Sequence, residues 1–320
     1  SDDKTDSPTF FPKEFKNRYH QYVYELNREK LNINPPYTLD SYRRYIQEYS
    51  YDFSQSYWYI SEDYLREIKK SLSNSDIKVL KTESSAKEFR SAKKFTEPEL
   101  KNLELGRYFH QLMLEPDKAK SFPMVDVKTR NTNEYKEYLQ DNNLEYVLRT
   151  SEANDIKDLA DWVLNPESEY GSDVVRDLLN NPMALKEQPS IMELHGHWWK
   201  GKADLITIDN DGQYVIIDLK TTGSNPSDIN IFRMRDFGYD SQCYLYKELF
   251  GMDFKFIFFG KKQKINESGD IYYDIEEITP SEDTIESGKM AVMNALANYN
   301  KFFGEGATHD VRKSYTKRVI

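Results

Sequence analysis

The stretch YVIIDLKTTG, Tyr214 to Gly223, limits what the chain can fold into more than any other. It opens as an apolar strand. Side chains alternate along a strand, so Ile216, Asp218 and Lys220 share one face, and Val215, Ile217 and Leu219 share the other. Apolar residues on both faces mark a strand covered on both sides. A carboxylate and an ammonium about 7 Å apart along such a strand are costly to bury without partners.

The text before it supplies one. KADLITI and QYVIIDLKT flank DNDG, which reads as a hairpin turn. Asp204 and Asp218 then fall on adjacent strands, 14 residues apart (218 − 204), close to directly opposite each other. Cross-strand Cβ atoms are about 5 Å apart, so two carboxylates there must share a proton or hold a cation between them. A hard divalent ion such as Mg²⁺ suits that pair. Lys220, one pleat beyond Asp218, could hold a water or meet a phosphate oxygen. A plain structural reading stands beside this one: a hairpin with acids near its exposed edge and a lysine pairing with one of them.

The rest of the chain gives the order of elements. From Phe10 to about Ser56 the text is charged and rich in Tyr, a helical N-terminal extension whose first residues, SDDKTDSP, are too polar to order. YWYISEDYLREIKKSL brings a short extended piece and a helix capped by Ser61. EPELKNLELGRYFHQLMLEP is a helix with Leu103, Arg107, His110 and Leu114 at helical spacing, closed by Pro116. Two more helices follow, TSEANDIKDLADWVLN and SDVVRDLLNNP. SIMELHGHWW alternates as a strand ahead of the hairpin, SDINIFRMRDFGYDSQCYLYKELFG is helical with a break at Gly238, and FKFIFFGK and IYYDIEEI are two further strands. A closing helix carries Ile285, Val292, Met293, Leu296 and Tyr299 on one face. The order predicts an α/β or α+β fold around a mixed sheet, with an extension over 1–56 and one domain over 57–320.

Composition bounds the function. Lys plus Arg number 44 against 54 Asp plus Glu, a net charge of −10, which argues against a general nucleic-acid-coating surface and leaves room for a local basic groove. The single cysteine, Cys243, can make no internal disulfide and no four-cysteine cluster within the chain. No apolar run approaches a membrane span and no signal segment opens the text, so the expectation is a cytoplasmic protein with no membrane partner.

LGRYFHQLMLEP, GKADLI, VIIDLKTT and GYDSQCYLY together resemble, in order and approximate spacing, the RecB-like branch of the PD-(D/E)XK nucleases, and within it the RecE-type and phage exonucleases. The family pattern is G-x-x-x-H on a helix, an aspartate after a short basic stretch, D-x-K, and Q-x-x-x-Y on the next helix. Here these are Gly106 with His110, Asp204, Asp218 with Lys220, and Gln242 with Tyr246. Ala203 stands where the named pattern has proline, a departure common in the RecB-like branch.

The resemblance implies a restriction-endonuclease-like core, a mixed central sheet flanked by helices. It also implies that His110, Asp204, Asp218 and the carbonyl of Leu219 bind one or two Mg²⁺ or Mn²⁺ ions, that Lys220 positions the attacking water, and that Gln242 and Tyr246 orient Lys220 or contact the scissile strand. The implied activity is a DNA exonuclease acting 5′→3′ on double-stranded ends in phage or prophage recombination, with a single-strand annealing protein as partner and a ring-like homo-oligomer as a route to processivity. A structure-specific or restriction-type endonuclease, and a non-catalytic DNA-binding module, are the alternatives on the same fold.

Weaker signals surround these motifs. Glu193 resembles an acidic position of related exonucleases and is a candidate substrate-side or supporting acid. Arg107, a turn before His110, is a candidate phosphate contact, and Lys202 with Lys200 flanks Asp204 as candidate groove lining. His195 and His197 in HGHWW lack a nearby acid or cysteine set and read as sheet surface and packing. The basic cluster GKKQK, Gly260 to Lys264, reads either as a phosphate contact or as a solvated turn.

Overall fold

The computed structural model describes residues 71–182, 184–209, 212–312 and 319. The expected helix capped by Ser61 and the extension over 1–56 lie outside the described residues. The described elements are α1 (Asn74–Leu80), α2 (Glu83–Ala86), α3 (Glu97–Leu114), α4 (Pro116–Ala119), β1 (Met124–Val125), α5 (Asn133–Asp141), β2 (Leu148–Arg149), α6 (Thr150–Leu164), α7 (Ser172–Asn180), β3 (Leu185–Leu194), β4 (His197–Ile208) and β5 (Tyr214–Thr222). A 3₁₀ turn (Pro226–Asp228) leads to α8 (Ile231–Phe237), α9 (Tyr239–Phe250), β6 (Asp253–Gly260), β7 (Lys264–Ile265), β8 (Ile271–Tyr272), β9 (Ile275–Ile278) and α10 (Glu282–Phe302).

The centre is a five-stranded mixed sheet in the order β3-β4-β5-β6-β9. β5 and β6 run parallel and every other neighbour is antiparallel. The parallel step needs a crossover, which α8 and α9 supply. Each face of the sheet carries its own apolar layer. Ile206, Ile216, Phe254, Phe256 and Phe258 pack with Cys243, Leu245 and Leu249 of α9 and Val292 of α10. On the other face, Leu205, Val215, Ile217, Leu219, Ile257 and Phe259 pack with Phe109 of α3 and Ile156 and Leu159 of α6. The alternation read from YVIIDLKTTG is the alternation observed.

Local chemistry sets the helix ends that matter. Thr96 caps α3: its hydroxyl accepts from the Glu99 amide, and Glu99 accepts from the Thr96 amide at 2.8 Å. Gly238, at φ 72°, separates α8 from α9, and Asn74 donates to its carbonyl at 3.0 Å. A left-handed residue there lets α8 stop and α9 restart at an angle, which a β-carbon would strain.

Three details differ from the sequence expectations. SIMELHGHWW is not one strand: His195 (φ 53°) and Gly196 (φ 78°) make a two-residue turn between β3 and β4. IYYDIEEI is broken at Tyr273 and Asp274 into β8 and β9. Leu103 and Met293, placed on inward faces by helical spacing, are 53 % and 41 % exposed, since each sits at the edge of its helix's apolar stripe. Among the described residues no helix is long and apolar enough to cross a membrane.

Candidate active site

The sequence motifs meet where α3, β3, β4, β5 and the α8–α9 junction line a cleft of about 1000 Å³. The β4–β5 register, Leu205 opposite Ile217, continued one step sets Asp204 opposite Asp218. No ladder bond joins that pair. Instead Asp204 Oδ2 accepts from the Leu219 amide at 2.9 Å, so a carboxylate takes the place of a strand carbonyl. The β3–β4 pairing likewise skips Glu187 and Asp204, and Glu187 has φ 52°. Ala203 and Ile206 pack in the same apolar layer although three residues apart, which a period of two forbids. β4 therefore changes face at Asp204, and the irregularity turns its acid toward the cleft.

His110 of α3 reaches the same point. Its Nε2–H donates to the Leu219 carbonyl at 2.7 Å, and its Nδ1 lies 3.4 Å from Asp204 Oδ1. Phe109, the neighbouring residue, is fully buried against Phe259, with ring centroids 5.1 Å apart, and fixes that turn of α3 on the sheet. That bond uses one of the two lone pairs of Leu219 O and leaves the other for a further partner.

Asp218 is buried, and its two oxygens have different fates. Oδ1 accepts from Gln242 Nε2 at 2.8 Å. Oδ2 lies 2.9 Å from Lys220 Nζ, yet no hydrogen bond of good geometry reaches it. A buried carboxylate oxygen left in that condition is expected to have a further partner. Lys220 Nζ also sits over the Tyr239 ring, 5.0 Å from its centroid.

Tyr246 meets the strand just before Asp204. Its hydroxyl donates to the Lys202 carbonyl at 3.3 Å and faces the Lys202 amide at 3.4 Å, so it braces β4 two residues before Asp204. Gly201 makes room for it, since a Cβ there would stand 2.9 Å from the Tyr246 ring.

The electrostatics follow from burial and crowding. Burial pushes the Asp204 carboxyl up to about 7, with Asp218 adding to the rise against the opposing pull of His110 and Lys220. Burial lowers the His110 imidazole, but the charges of Asp204 and Asp218 outweigh it and the net shift is upward. Lys220 behaves the same way: burial works against its charge, the carboxylates and Tyr239 prevail, and it stays an ammonium.

The remaining residues fall into place around this cluster. Lys202 pairs with Glu187 at 2.6 Å. Arg107 lines the cleft, pairing with Glu104 at 3.0 Å while its guanidinium lies over the Phe122 ring. Glu193 stands opposite Trp198, six positions along β3 from Glu187, or about 20 Å at strand rise. His195 meets the Tyr244 hydroxyl at 2.7 Å, and His197 packs on the Tyr299 ring. Lys264 pairs with Asp274.

The acid that the sequence reading missed is Glu187. His110, Glu187 and Asp204 each offer a ligand atom within 4.8 Å of the others, a mixed nitrogen and oxygen set. The signal was present: Glu187 and Asp204 both lie eight residues from the His195–Gly196 turn (195 − 187 and 204 − 196). This donor set of two carboxylates and one imidazole fits a divalent cation.

The sequence profile of the PD-(D/E)XK nuclease superfamily matches residues 82–314. No curated protein matches the sequence. Among solved structures, a Eubacterium rectale protein provisionally named an exonuclease is 15% identical, with a TM-score of 0.44, covering 81% of this chain and 95% of its own. The protein SSO0001 is 19% identical with a TM-score of 0.27, over 60% of this chain and 84% of its own.

Proposed function

Because the chain belongs to the PD-(D/E)XK nuclease superfamily, whose members are hydrolases that use divalent metals, we propose that it is a metal-dependent DNA exonuclease. In this reading it degrades double-stranded ends 5′→3′. The observation that carries the hydrolytic part is the convergence of Glu187, Asp204, His110 and Lys220 on one cleft, with the buried Asp218 paired to Lys220. The end preference, the polarity and a recombination role beside a single-strand annealing protein rest on the resemblance of the four motifs to RecE-type sequences.

The cation would be held by His110, Glu187 and Asp204. When bound it supplies Lewis-acid stabilisation of charge on the phosphate and a more acidic water. The chain's own residues do the rest. Asp218 fixes Lys220 at 2.9 Å, and Gln242 fixes Asp218 from behind. Held as an ammonium, Lys220 donates a hydrogen bond to the attacking water or a phosphate oxygen and offsets the negative charge that develops there. Lys202, paired with Glu187, lines the same cleft as a candidate phosphate contact. Tyr246 keeps β4, and with it Asp204, in position.

Linear duplex DNA labelled separately at its 5′ and 3′ ends, with closed circular DNA beside it and Mg²⁺ or Mn²⁺ added, tests this reading. The expected result is early loss of 5′ label with the circle intact. Early loss of 3′ label reverses the polarity, and a cut circle replaces the exonuclease with an endonuclease on the same fold.

A further inference from the structure

The cleft holds an aromatic side chain that the hydrolytic chemistry does not use. Phe237, the last residue of α8, is 55 % exposed and lines the same cleft as Lys220. It ends a ladder of rings that starts in the core. Phe256 and Phe258 are buried beneath Tyr239, at 5.3 and 5.7 Å between centroids. Tyr239 in turn stacks on Phe237 at 5.4 Å, with the planes 24° apart. Lys220 Nζ rests on that same Tyr239 ring. Phe237 therefore has one face covered, much of its surface open, and a position one ring removed from the proposed catalytic lysine.

Its support is rigid. The Gly238 amide closes α8 onto the carbonyls of Met234 and Arg235, and Asn74 and Ser241 both donate to the Gly238 carbonyl. Arg233, one turn earlier on the same helix face, also lines the cleft, with its guanidinium on the Ser224 hydroxyl at 2.7 Å. Side chains four apart on a helix are about 6 Å from each other, a spacing that suits the base and the phosphate of one nucleotide. A cleft of about 1000 Å³ is the size that encloses one small-molecule ligand, not a turn of duplex.

Resting on the nuclease reading above, we propose that Phe237 is the stacking platform for one unpaired nucleobase of the cleaved strand. Bases inside a duplex have both faces covered by their neighbours, so a base on Phe237 has left the stack. Aromatic platforms accept any base, because every base has a π face. The platform thus places the strand without reading its sequence.

The test is a cycle on the protein as it stands. Wild type, Phe237→Ala and Phe237→Trp are compared in Mn²⁺ on short linear duplexes that carry one abasic residue, moved stepwise along the cleaved strand. In the wild type, one abasic position raises KM about 10- to 100-fold. Phe237→Ala raises KM by a similar factor on intact DNA and is indifferent to that abasic position, while Phe237→Trp keeps wild-type behaviour. A mismatched, frayed end speeds the wild type, because unpairing costs less there, and does not speed Phe237→Ala. Losses from Phe237→Ala and from the abasic residue that multiply, or fraying that helps neither protein, overturn the platform while leaving the nuclease reading intact. A wild type that cleaves no duplex overturns both.

Discussion

At the scale of single residues, the candidate site is a balance of charge. Glu187, Asp204 and Asp218 face Lys202, Lys220 and His110. The sign of the pH dependence follows. Asp204 is raised from an ordinary 3.8 to about 7, so the folded, metal-free protein holds that proton more tightly than the unfolded chain. The stability it contributes is fully present below about pH 4 and is lost as pH rises through about 7. His110, also raised, loses its contribution in the same direction. Thermal unfolding without metal should therefore fall in midpoint between about pH 4 and 7, and Asp204→Asn should flatten that fall. A cation that takes the place of these protons should bind more tightly over the same range, which calorimetric titration with Mn²⁺ reads directly. Glu187→Gln should weaken that binding about 10- to 100-fold while leaving the fold intact.

Much of this was legible in the sequence, and the gaps have physical causes. Asp204 and Asp218 could be placed opposite each other because a strand's period is two and the DNDG turn fixes the register. Glu187 could not, because SIMELHGHWW alternates as a strand straight through His195–Gly196, and without that turn nothing aligns β3 with β4. Tyr246 sits on the expected face of α9, but helical spacing says nothing of which backbone its hydroxyl meets.

At the scale of elements, two contacts hold the helical layers on either side of the sheet. α10 crosses the start of α9 so closely that a Cβ on Gly288 would lie 2.0 Å from the Asp240 carbonyl oxygen. The helix spacing can hold only glycine there, and Ser287 adds a hydrogen bond to Asp240 at 2.8 Å. Gly288→Ala should cost about 1–3 kcal/mol or more, read as a lower denaturant midpoint at unchanged slope. On the other face, Glu152 of α6 gathers both arms of Arg130, at 3.1 and 2.5 Å, with the Arg149 amide and guanidinium at 3.0 Å each. Burial works against its charge, but these bonds prevail and hold the carboxyl down near about 2. That stability is present above the ordinary 4.5 and is lost as pH falls toward 2. Glu152→Gln leaves Arg130 only Glu97 among the described residues, at 3.5 Å, takes the Glu152 counter-charge from Arg149, and should destabilise by about 1–3 kcal/mol. Neither device shows in helical periodicity, because each depends on which element crosses which.

At the scale of the molecule, a chain of net charge −10 carries a cleft with Lys78, Arg107, Lys202, Arg233 and Lys261 on its walls. An acidic body around a basic cleft directs a polyanion to one place and repels it from the rest. Binding to DNA should weaken steeply with added salt, in proportion to the phosphates those side chains meet. The claim that joins all three scales is that the cleft hydrolyses DNA with a bound cation and Lys220. Its most direct test is the degradation of linear duplex in Mn²⁺ by the wild type and by Lys220→Ala, with Mn²⁺ affinity measured on both. The account predicts a wild type that degrades the DNA and a variant that binds Mn²⁺ yet is slower by about 100-fold or more. A variant as fast as the wild type, or a wild type that binds Mn²⁺ and leaves the DNA whole, would contradict it.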